Sequence, residues 1–323
     1  MKCISKKFIC CGVAIMLAAS LVACGGKKIE LSYDSYINIQ TEALADRKAD
    51  AFASELCVVV DDVTQNTDVE LEESSAAGLF DVNKQEVIYA KNIHERLNPA
   101  SLTKIMTAVV ALKYGNTDDI ITVTENARDL EYGATTCGLE AGDHLTLNQA
   151  LHALLIYSGN DAGVAIAEHI GGSVEGFAEL MNQEAISLGA TNSHFMNPHG
   201  LTENDHYVSA YDMYLIMNEA MQYELFNEII HMSEYSTVYT DKNGNDKEMS
   251  FQTTNLFLRG DYSSPDRITV IGGKTGTTNA AGNCLILLTK DTGGNPYISV
   301  ILRASERSIL YEEMIDILDE INN

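Results

Sequence analysis

The sequence predicts an α+β fold in which distant parts of the chain meet in one sheet and a helical cluster is inserted between them. Strand-like patterns occur at residues 76–90 and again at 269–303, whereas most of the residues between carry the apolar spacing of helices. Strands at both ends with helices between them imply a sheet closed by segments far apart in the chain. The predicted domain spans residues 74–323.

The composition is that of a folded, acidic protein. Of 323 residues, 46% are hydrophobic and only four are proline, which favours a substantial core over a disordered chain. Acidic residues number 46 against 21 basic ones, for a net charge of −25. A field of this sign repels phosphate backbones, so nucleic acid is not an expected partner.

Residues 1–23 have the pattern of a secretory signal peptide. Three lysines among the first seven residues precede an apolar run at 8–23, which is short for a membrane span. The run ends in Leu-Val-Ala followed by Cys24, which resembles the lipobox of bacterial lipoproteins. This resemblance implies lipidation of Cys24 and an extracytoplasmic location at the outer face of the bacterial membrane. The alternative is an uncleaved anchor helix with an incidental cysteine.

Residues 24–73 are interpreted as a tether and N-terminal segment, because their sequence is polar and of mixed charge. A helix is predicted within it over 41–56.

Turn and periodicity signals predict the elements of the domain in order. A β-hairpin is predicted from 76–81 and 86–90 around the turn 82–85. The helices are predicted at 101–114, 147–157, 162–170, 174–188 and 210–220. Strands at 269–271, 284–289 and 297–303 precede a final amphipathic helix at 308–321.

The first chemical motif places Ser101 and Lys104 at positions i and i+3 of a predicted helix. Such residues share one face, so their side chains are within reach of each other. A serine hydroxyl is a weak nucleophile unless a neighbouring group accepts its proton. A lysine kept neutral by burial or by nearby cations can be that group. Taken alone, the spacing also fits an ordinary solvated helix face.

The second motif is Ser158-Gly159-Asn160, at a predicted break between two helices. There a hydroxyl and an amide can face a cleft, although either side chain could equally cap a helix.

The third motif lies in the glycine-rich segment 272–278. Its glycines let a ligand backbone approach an edge strand, and its lysine and hydroxyls can hold a carboxylate. The alternative is a simple glycine-rich strand end.

The ordered trio S-x-x-K, S-x-N and K-T-G is the signature of penicillin-recognising serine enzymes. The surrounding sequence resembles the D-alanyl-D-alanine carboxypeptidases of the low-molecular-weight penicillin-binding class, and the resemblance covers roughly residues 75–320. The segments that carry it are Asn98–Ala108, Leu145–Asn148, Phe195–Leu201 and Gly273–Thr277. A β-lactamase is a weaker alternative, because the second motif reads Ser-Gly-Asn and an E-x-x-L-N segment is missing.

The resemblance implies a β-lactamase/DD-peptidase-like α/β sandwich, with an antiparallel sheet flanked by helices and an inserted all-helical subdomain. It implies cleavage of peptidoglycan stem peptides that end in D-Ala-D-Ala, through an acyl-serine intermediate that β-lactam antibiotics also form. The implied catalytic residues are Ser101, Lys104 and Ser158. The implied substrate-binding residues are Asn160, Lys274, Thr275, Gly276 and Thr277. No metal or organic cofactor is implied.

Two departures from the family pattern bear on these expectations. Many family members have an arginine at the end of a T-N-R segment, where this chain has Leu256 in Thr254-Asn255-Leu256. Arg307 is therefore a further candidate for binding the substrate carboxylate. Many members also continue into a β-rich domain and an amphipathic anchor, which the lipid at Cys24 is expected to replace. Transpeptidase, endopeptidase and non-catalytic wall-binding activities stay open as alternatives. A structural role is expected for His199, because Lys104 already supplies a base.

Cys57, Cys137 and Cys284 lack the spacing of a metal site and are expected to be buried free thiols. One disulfide between two of them is the alternative in an oxidising compartment.

Overall fold

A five-stranded antiparallel sheet lies at the centre of the computed structural model, which describes residues 53–64 and 69–322. In spatial order its strands are β2 (Glu86–Lys91), β1 (Ser74–Asp81), β9 (Pro296–Ala304), β8 (Gly282–Lys290) and β7 (Thr269–Thr278). Strand β1 pairs with β9, which brings the two ends of the domain together. The predicted fold class is confirmed.

The helices lie on both faces of this sheet. They are α1 (Thr103–Tyr114), α2 (Leu147–His152), α3 (Asn160–Gly171), α4 (Val174–Ser187), α5 (Ala210–Ala220), α6 (Glu224–His231), α7 (Leu256–Arg259) and α8 (Arg307–Asp319). A 3₁₀ turn, Ala100–Leu102, leads into α1, and a π-helical turn, Ala153–Tyr157, follows α2.

Two hydrophobic clusters form the core, one on each face of the central sheet. Successive residues of β8 alternate between them, because side chains of a strand point to opposite faces. Ile286 packs with the helices of the inserted region, whereas Leu285 packs with Leu310 and Met314 of α8. The strand that carries the third sequence motif, β7, therefore belongs to a sheet covered on both faces.

The inserted region differs from the prediction in one respect, since it is not all-helical. It contains a second antiparallel sheet made of β3 (Ile120–Thr122), β4 (His144–Thr146), β5 (Glu234–Thr240) and β6 (Asp246–Gln252). Strands β3 and β4 have three residues each, too few to show an alternating pattern. Strands β5 and β6 bury only three of their 14 residues, so their apolar signal is weak.

Strand β7 is also longer than the predicted 269–271. It continues through the whole K-T-G segment and pairs with β8 from Thr269 to Thr278. Glycine, lysine and threonine do not carry the apolar alternation on which the sequence prediction depended. The motif is therefore part of the last strand of the sheet.

The predicted signal peptide, Cys24 and most of the helix predicted over 41–56 lie outside the described residues. The compact unit begins at Glu55, and Cys57 lies in its core with no exposed surface. The hydroxyl of Tyr214 accepts a hydrogen bond from the Cys57 N–H at 2.8 Å. The segment that contains Cys57 thus packs with the domain. A tether over the earlier residues stays a prediction.

All three cysteines of the described part are free thiols, Cys57 and Cys284 buried and Cys137 half-buried. No helix in the described ranges has the length and apolarity needed to cross a membrane.

Candidate active site

The three sequence motifs meet in one cleft of about 580 Å³. Ser101 comes from the turn before α1, Ser158 from the end of the π-helical turn, and Thr275 and Thr277 from β7. Single π-helical turns recur at functional sites.

Two residues at the site have a left-handed backbone. Ala100, next to Ser101, has a φ of 47°, and Ser158 has a φ of 72°. Such conformations cost a non-glycine residue free energy and persist only where the surroundings fix them. Gly200 is part of those surroundings, because a Cβ there would lie 1.8 Å from the carbonyl oxygen of Ala100. The structure thus holds the backbone before Ser101 in a strained position.

Lys104 is completely buried, and its Nζ has three neighbours within hydrogen-bond distance. It lies 2.9 Å from the Oγ of Ser101, 2.7 Å from the Oδ1 of Asn160 and 2.7 Å from the carbonyl oxygen of His199. The amide oxygen and the carbonyl can only accept hydrogen bonds, whereas the hydroxyl can donate or accept.

Burial lowers the pKa of Lys104 well below its usual value, and the nearby Lys274 lowers it further. A neutral amine has two N–H groups and one lone pair. The two N–H groups satisfy Asn160 and His199, so the lone pair is left to accept the proton of Ser101. The arrangement is that of a nucleophile beside its base.

Lys274 and Ser158 form a second pair in the cleft. The Nζ of Lys274 donates to the Oγ of Ser158 at 3.0 Å and to the carbonyl oxygen of Thr275 at 2.9 Å. Burial lowers the pKa of Lys274 to about 7. Lys274 therefore changes its charge near neutral pH, within reach of a hydroxyl that can pass on a proton.

Gly276 lets β7 lie directly against the turn that carries Ser101. A Cβ at this position would lie 2.9 Å from the Ser101 nitrogen and 3.0 Å from the Pro99 oxygen. This contact brings the following residue, Thr277, to the same edge of the cleft as Ser101.

The structure brings together all eight residues predicted to act in the site. Ser158 is hydrogen bonded to Lys274, whereas the side chain of the second motif that contacts Lys104 is Asn160. The ninth predicted residue, Cys24, lies outside the described residues.

His199 takes part through its backbone and not through its ring. Burial lowers the pKa of the imidazole to about 3, and the ring Nδ1 accepts a hydrogen bond from the Leu201 N–H. The expected structural role fits these contacts. Backbone groups leave no signal in a sequence, so the carbonyl contact with Lys104 was not predicted.

Two arginines line the cleft, Arg307 and Arg259. Arg307 was a candidate from the sequence, but Arg259 was not. Arg259 lies one helical turn after Leu256, and Leu256 is the position at which the family pattern has an arginine. Arg259 pairs with Asp261 at 3.1 Å. Nearby, the hydroxyls of Thr254 and Thr275 are 2.6 Å apart. This end of the cleft is polar and cationic, as a carboxylate site requires.

The sequence profile of the D-alanyl-D-alanine carboxypeptidase family, peptidase S11, matches residues 62–306. The chain is 37% identical to the D-alanyl-D-alanine carboxypeptidase DacF of Bacillus subtilis over 256 residues, which cover 76% of this chain and 61% of that protein. It is 32% identical to DacA of Haemophilus influenzae over 230 residues, covering 69% and 55%. The chain thus spans about three fifths of the length of these relatives.

Among solved structures, the DD-transpeptidase of Streptomyces K15 is similar, with a TM-score of 0.72 and 27% identity over 80% of this chain and 98% of that one. DacD of Francisella tularensis has a TM-score of 0.69 and 25% identity, over 82% of this chain and 74% of that one.

Proposed function

Because this chain belongs to the D-alanyl-D-alanine carboxypeptidase family, we propose that it removes the terminal D-alanine from peptidoglycan stem peptides ending in D-Ala-D-Ala. The observation that carries this proposal is the 2.9 Å separation between the buried amine of Lys104 and the hydroxyl of Ser101. An amine held neutral beside a serine is the chemistry that acyl transfer needs.

In the first step, the Oγ of Ser101 attacks the carbonyl carbon of the penultimate D-alanine and its proton passes to the Nζ of Lys104. The carbonyl π bond opens and negative charge develops on its oxygen. The backbone N–H groups of Ser101 and Thr277 are the proposed donors to that oxygen, a contribution of about 3–4 kcal/mol for each such donor.

In the second step, the bond between the carbonyl carbon and the departing nitrogen breaks. Ser158 passes its proton to that nitrogen and is reprotonated through Lys274, to which it is hydrogen bonded at 3.0 Å. Free D-alanine leaves and an ester to Ser101 remains. Lys104 then loses to solvent the proton that it took from Ser101, and Lys274 regains one, so that Lys104 is neutral again. A water molecule attacks the ester carbon as Lys104 accepts its proton, the ester bond to Ser101 breaks, and that proton passes to the Ser101 Oγ as the shortened peptide leaves.

The substrate carboxylate is proposed to bind at the cationic end of the cleft. Lys274, Thr275 and Thr277 provide a cation and hydroxyl donors on β7, and Arg307 lines the same cleft. The side-chain NH₂ of Asn160 is the proposed donor to the amide on the acyl side. Peptide backbone is proposed to pair with the outer edge of β7, which is the last strand of its sheet in the described part of the chain.

A β-lactam is proposed to acylate Ser101 by the same attack and to leave the ester slowly. Transpeptidation is the second candidate, because the similar Streptomyces structure is described as a DD-transpeptidase. It uses the same ester and replaces water with an amine acceptor.

For its location, we propose a lipoprotein at the outer face of the bacterial cytoplasmic membrane. Support comes from the signal-like residues 1–23 and the lipobox-like sequence before Cys24. Intact mass of the protein from membranes, compared with a Cys24→Ser variant, tests this. A mature chain that begins at Cys24 and carries acyl mass in the wild type alone supports the anchor, whereas an unmodified Cys24 contradicts it.

The activity is tested by incubating the full chain with a peptide ending in D-Ala-D-Ala, and separately with benzylpenicillin. We expect release of D-alanine and a lasting adduct of one penicillin in the wild type, with neither in Ser101→Ala. Fast penicillin hydrolysis without a lasting adduct favours a β-lactamase. A folded wild type that reacts with neither contradicts the enzyme function.

A further inference from the structure

One wall of the cleft is formed by residues 131–139, here called the 131–139 loop, which contain no helix or strand. Thr135 of this loop lines the cleft together with Ser101 and Ser158. At the outer end of the loop, the side chain of Tyr132 is fully exposed. The loop therefore borders the reacting groups while much of it faces solvent.

Three hydrogen bonds join the 131–139 loop to the start of α3 in the described structure. The N–H of Asn160 donates to the Thr135 carbonyl at 2.8 Å. The N–H groups of Cys137 and Leu139 donate to the two carboxylate oxygens of Asp161, at 2.9 and 3.1 Å. Asp161 is only 1% exposed, so both bonds form away from water, where they are stronger.

The loop also packs on the second motif without a gap. A Cβ at Gly159 would lie 2.2 Å from the Sγ of Cys137. The backbone of Gly159 has ordinary dihedral angles, φ −60° and ψ 119°, so space and not backbone strain excludes a side chain there. Movement of the loop would therefore act directly on the segment between Ser158 and Asn160.

We propose that Asp161 is a positioning residue, which holds the 131–139 loop against the second motif and thereby fixes Asn160 beside Lys104. The inference rests on the proposed acyl transfer at Ser101. Asp161 touches neither Ser101 nor the cleft. It acts through Asn160, whose Oδ1 is one of the acceptors that orient the Lys104 amine.

Asp161 also has an electrostatic effect on the base. Its negative charge raises the pKa of Lys104, as Cys137 of the same loop also does, against the larger lowering by burial and by Lys274. Removal of that charge therefore lowers the pKa further. Lys104 must be neutral to accept a proton, so the acylation rate falls as Lys104 becomes protonated. This fall on the acid side of the pH profile, here called the acid limb, therefore moves to lower pH. A residue that only stabilises the fold would leave that limb in place.

The test compares Asp161→Asn with Asp212→Asn in the full chain, using the rate of acylation by benzylpenicillin as a function of pH. Asp212 is a matched control, because it is a buried carboxylate in the first turn of a helix and accepts a hydrogen bond from Ser193. For Asp161→Asn we expect acylation to be about 10–100-fold slower at neutral pH, with the acid limb at lower pH, since small displacements of reacting groups have effects of this size. For Asp212→Asn we expect a rate within about twofold of the wild type and an unmoved limb.

A second pair of variants tests the position of the loop without a change of charge. A Cβ at Gly159 would lie 2.2 Å from the Cys137 Sγ and 3.0 Å from the Asp161 Oδ1, so we expect Gly159→Ala to slow acylation. Adding Cys137→Ala removes the closer of the two contacts, and we expect the double variant to recover part of the rate. These two variants test whether the position of the loop affects acylation even if Asp161→Asn does not fold.

The inference is overturned if folded Asp161→Asn acylates at the wild-type rate with an unmoved acid limb, or if Gly159→Ala acylates as fast as the wild type. A double variant no faster than Gly159→Ala overturns it too. A wild type that forms no adduct overturns the proposed acyl transfer and this inference with it, so the two failures are distinguishable.

Discussion

The Nζ of Lys104 lies 2.9 Å from the Oγ of Ser101, and its two other neighbours, Asn160 and His199, present only acceptors to it. A neutral amine satisfies both acceptors and still has a lone pair for the serine proton. A charged ammonium donates all three of its hydrogens and has no lone pair with which to accept a proton. The site is therefore built to react in its neutral form, which burial favours.

Lys104→Met tests this arrangement, because methionine fills a buried site of similar length without a base. We expect acylation of Ser101 by benzylpenicillin to fall by about 10²–10⁴-fold, the usual contribution of a general base. The control is Lys113→Met on the same helix, since Lys113 pairs with Glu184 and not with the site. Stopped-flow measurement of the adduct gives the rate. A Lys104→Met rate within tenfold of the wild type would assign the base to another group.

The pH dependence of kcat/KM for a D-Ala-D-Ala peptide is expected to be bell-shaped. On the acid side, protonation of Lys104 removes the base. On the alkaline side, Lys274 loses its charge as the pH rises past its pKa of about 7, and its attraction for the substrate carboxylate is lost. Since kcat/KM reports the free enzyme and a bound carboxylate keeps Lys274 charged in the complex, we expect the alkaline fall to occur at lower pH in kcat/KM than in kcat.

Lys274→Arg is the diagnostic variant, because arginine stays charged throughout this range. We expect its alkaline limb to move to higher pH, even if the maximal rate is lower. An alkaline limb that stays where the wild type has it would show that another group causes it.

Gly276→Ala is expected to slow acylation by about 10²-fold, because its Cβ would push β7 away from the turn that carries Ser101. Gly293→Ala is the control, since a Cβ there would meet only side-chain atoms of the β8–β9 hairpin. Benzylpenicillin acylation and thermal unfolding are measured for both. Unchanged acylation in Gly276→Ala would mean that the strand can move without loss of geometry.

The sequence was sufficient for the parts of the site whose side chains carry the chemistry. Ser101 and Lys104 have helical spacing, and the second and third motifs follow in the order that the family requires. Which lysine meets Ser158, however, depends on how β7 lies against the π-helical turn. That relationship joins residues 116 positions apart and has no local pattern.

Contacts made by backbone atoms also could not be predicted from the sequence. The His199 carbonyl on Lys104 and the Cys137 and Leu139 N–H groups on Asp161 have no residue-type signature. The second sheet was not predicted for a different reason, since short or largely exposed strands bury too few residues to show periodicity. The central sheet, buried on both faces, was predicted in outline.

Arg307→Ala is expected to raise KM for a peptide with a free terminal carboxylate by about 10–100-fold, since a hydrogen bond to a charged group contributes about 1.5–3 kcal/mol. The same peptide with an amidated C-terminus is expected to bind equally poorly to the wild type and the variant. Arg96→Ala is the control, because Arg96 contacts Asn192 and Tyr207 and does not line the cleft. An unchanged KM for the free acid in Arg307→Ala would leave carboxylate recognition to Arg259, Lys274 and the neighbouring hydroxyls.

Tyr214→Phe tests the packing of the segment around Cys57 on the domain. The hydroxyl of Tyr214 accepts the Cys57 N–H at 2.8 Å in the core, and its ring stacks on Phe80 with centroids 4.2 Å apart. Phenylalanine keeps the stack but leaves a buried N–H without its partner, so we expect the free energy of unfolding to fall by about 1–3 kcal/mol. Denaturant unfolding measures this, and Tyr114→Phe is the control because Tyr114 is 51% exposed. Acylation of the folded variant is expected to be unchanged, since neither residue lines the cleft. Equal unfolding free energies for wild type and Tyr214→Phe would mean that this segment contributes little to the stability of the domain.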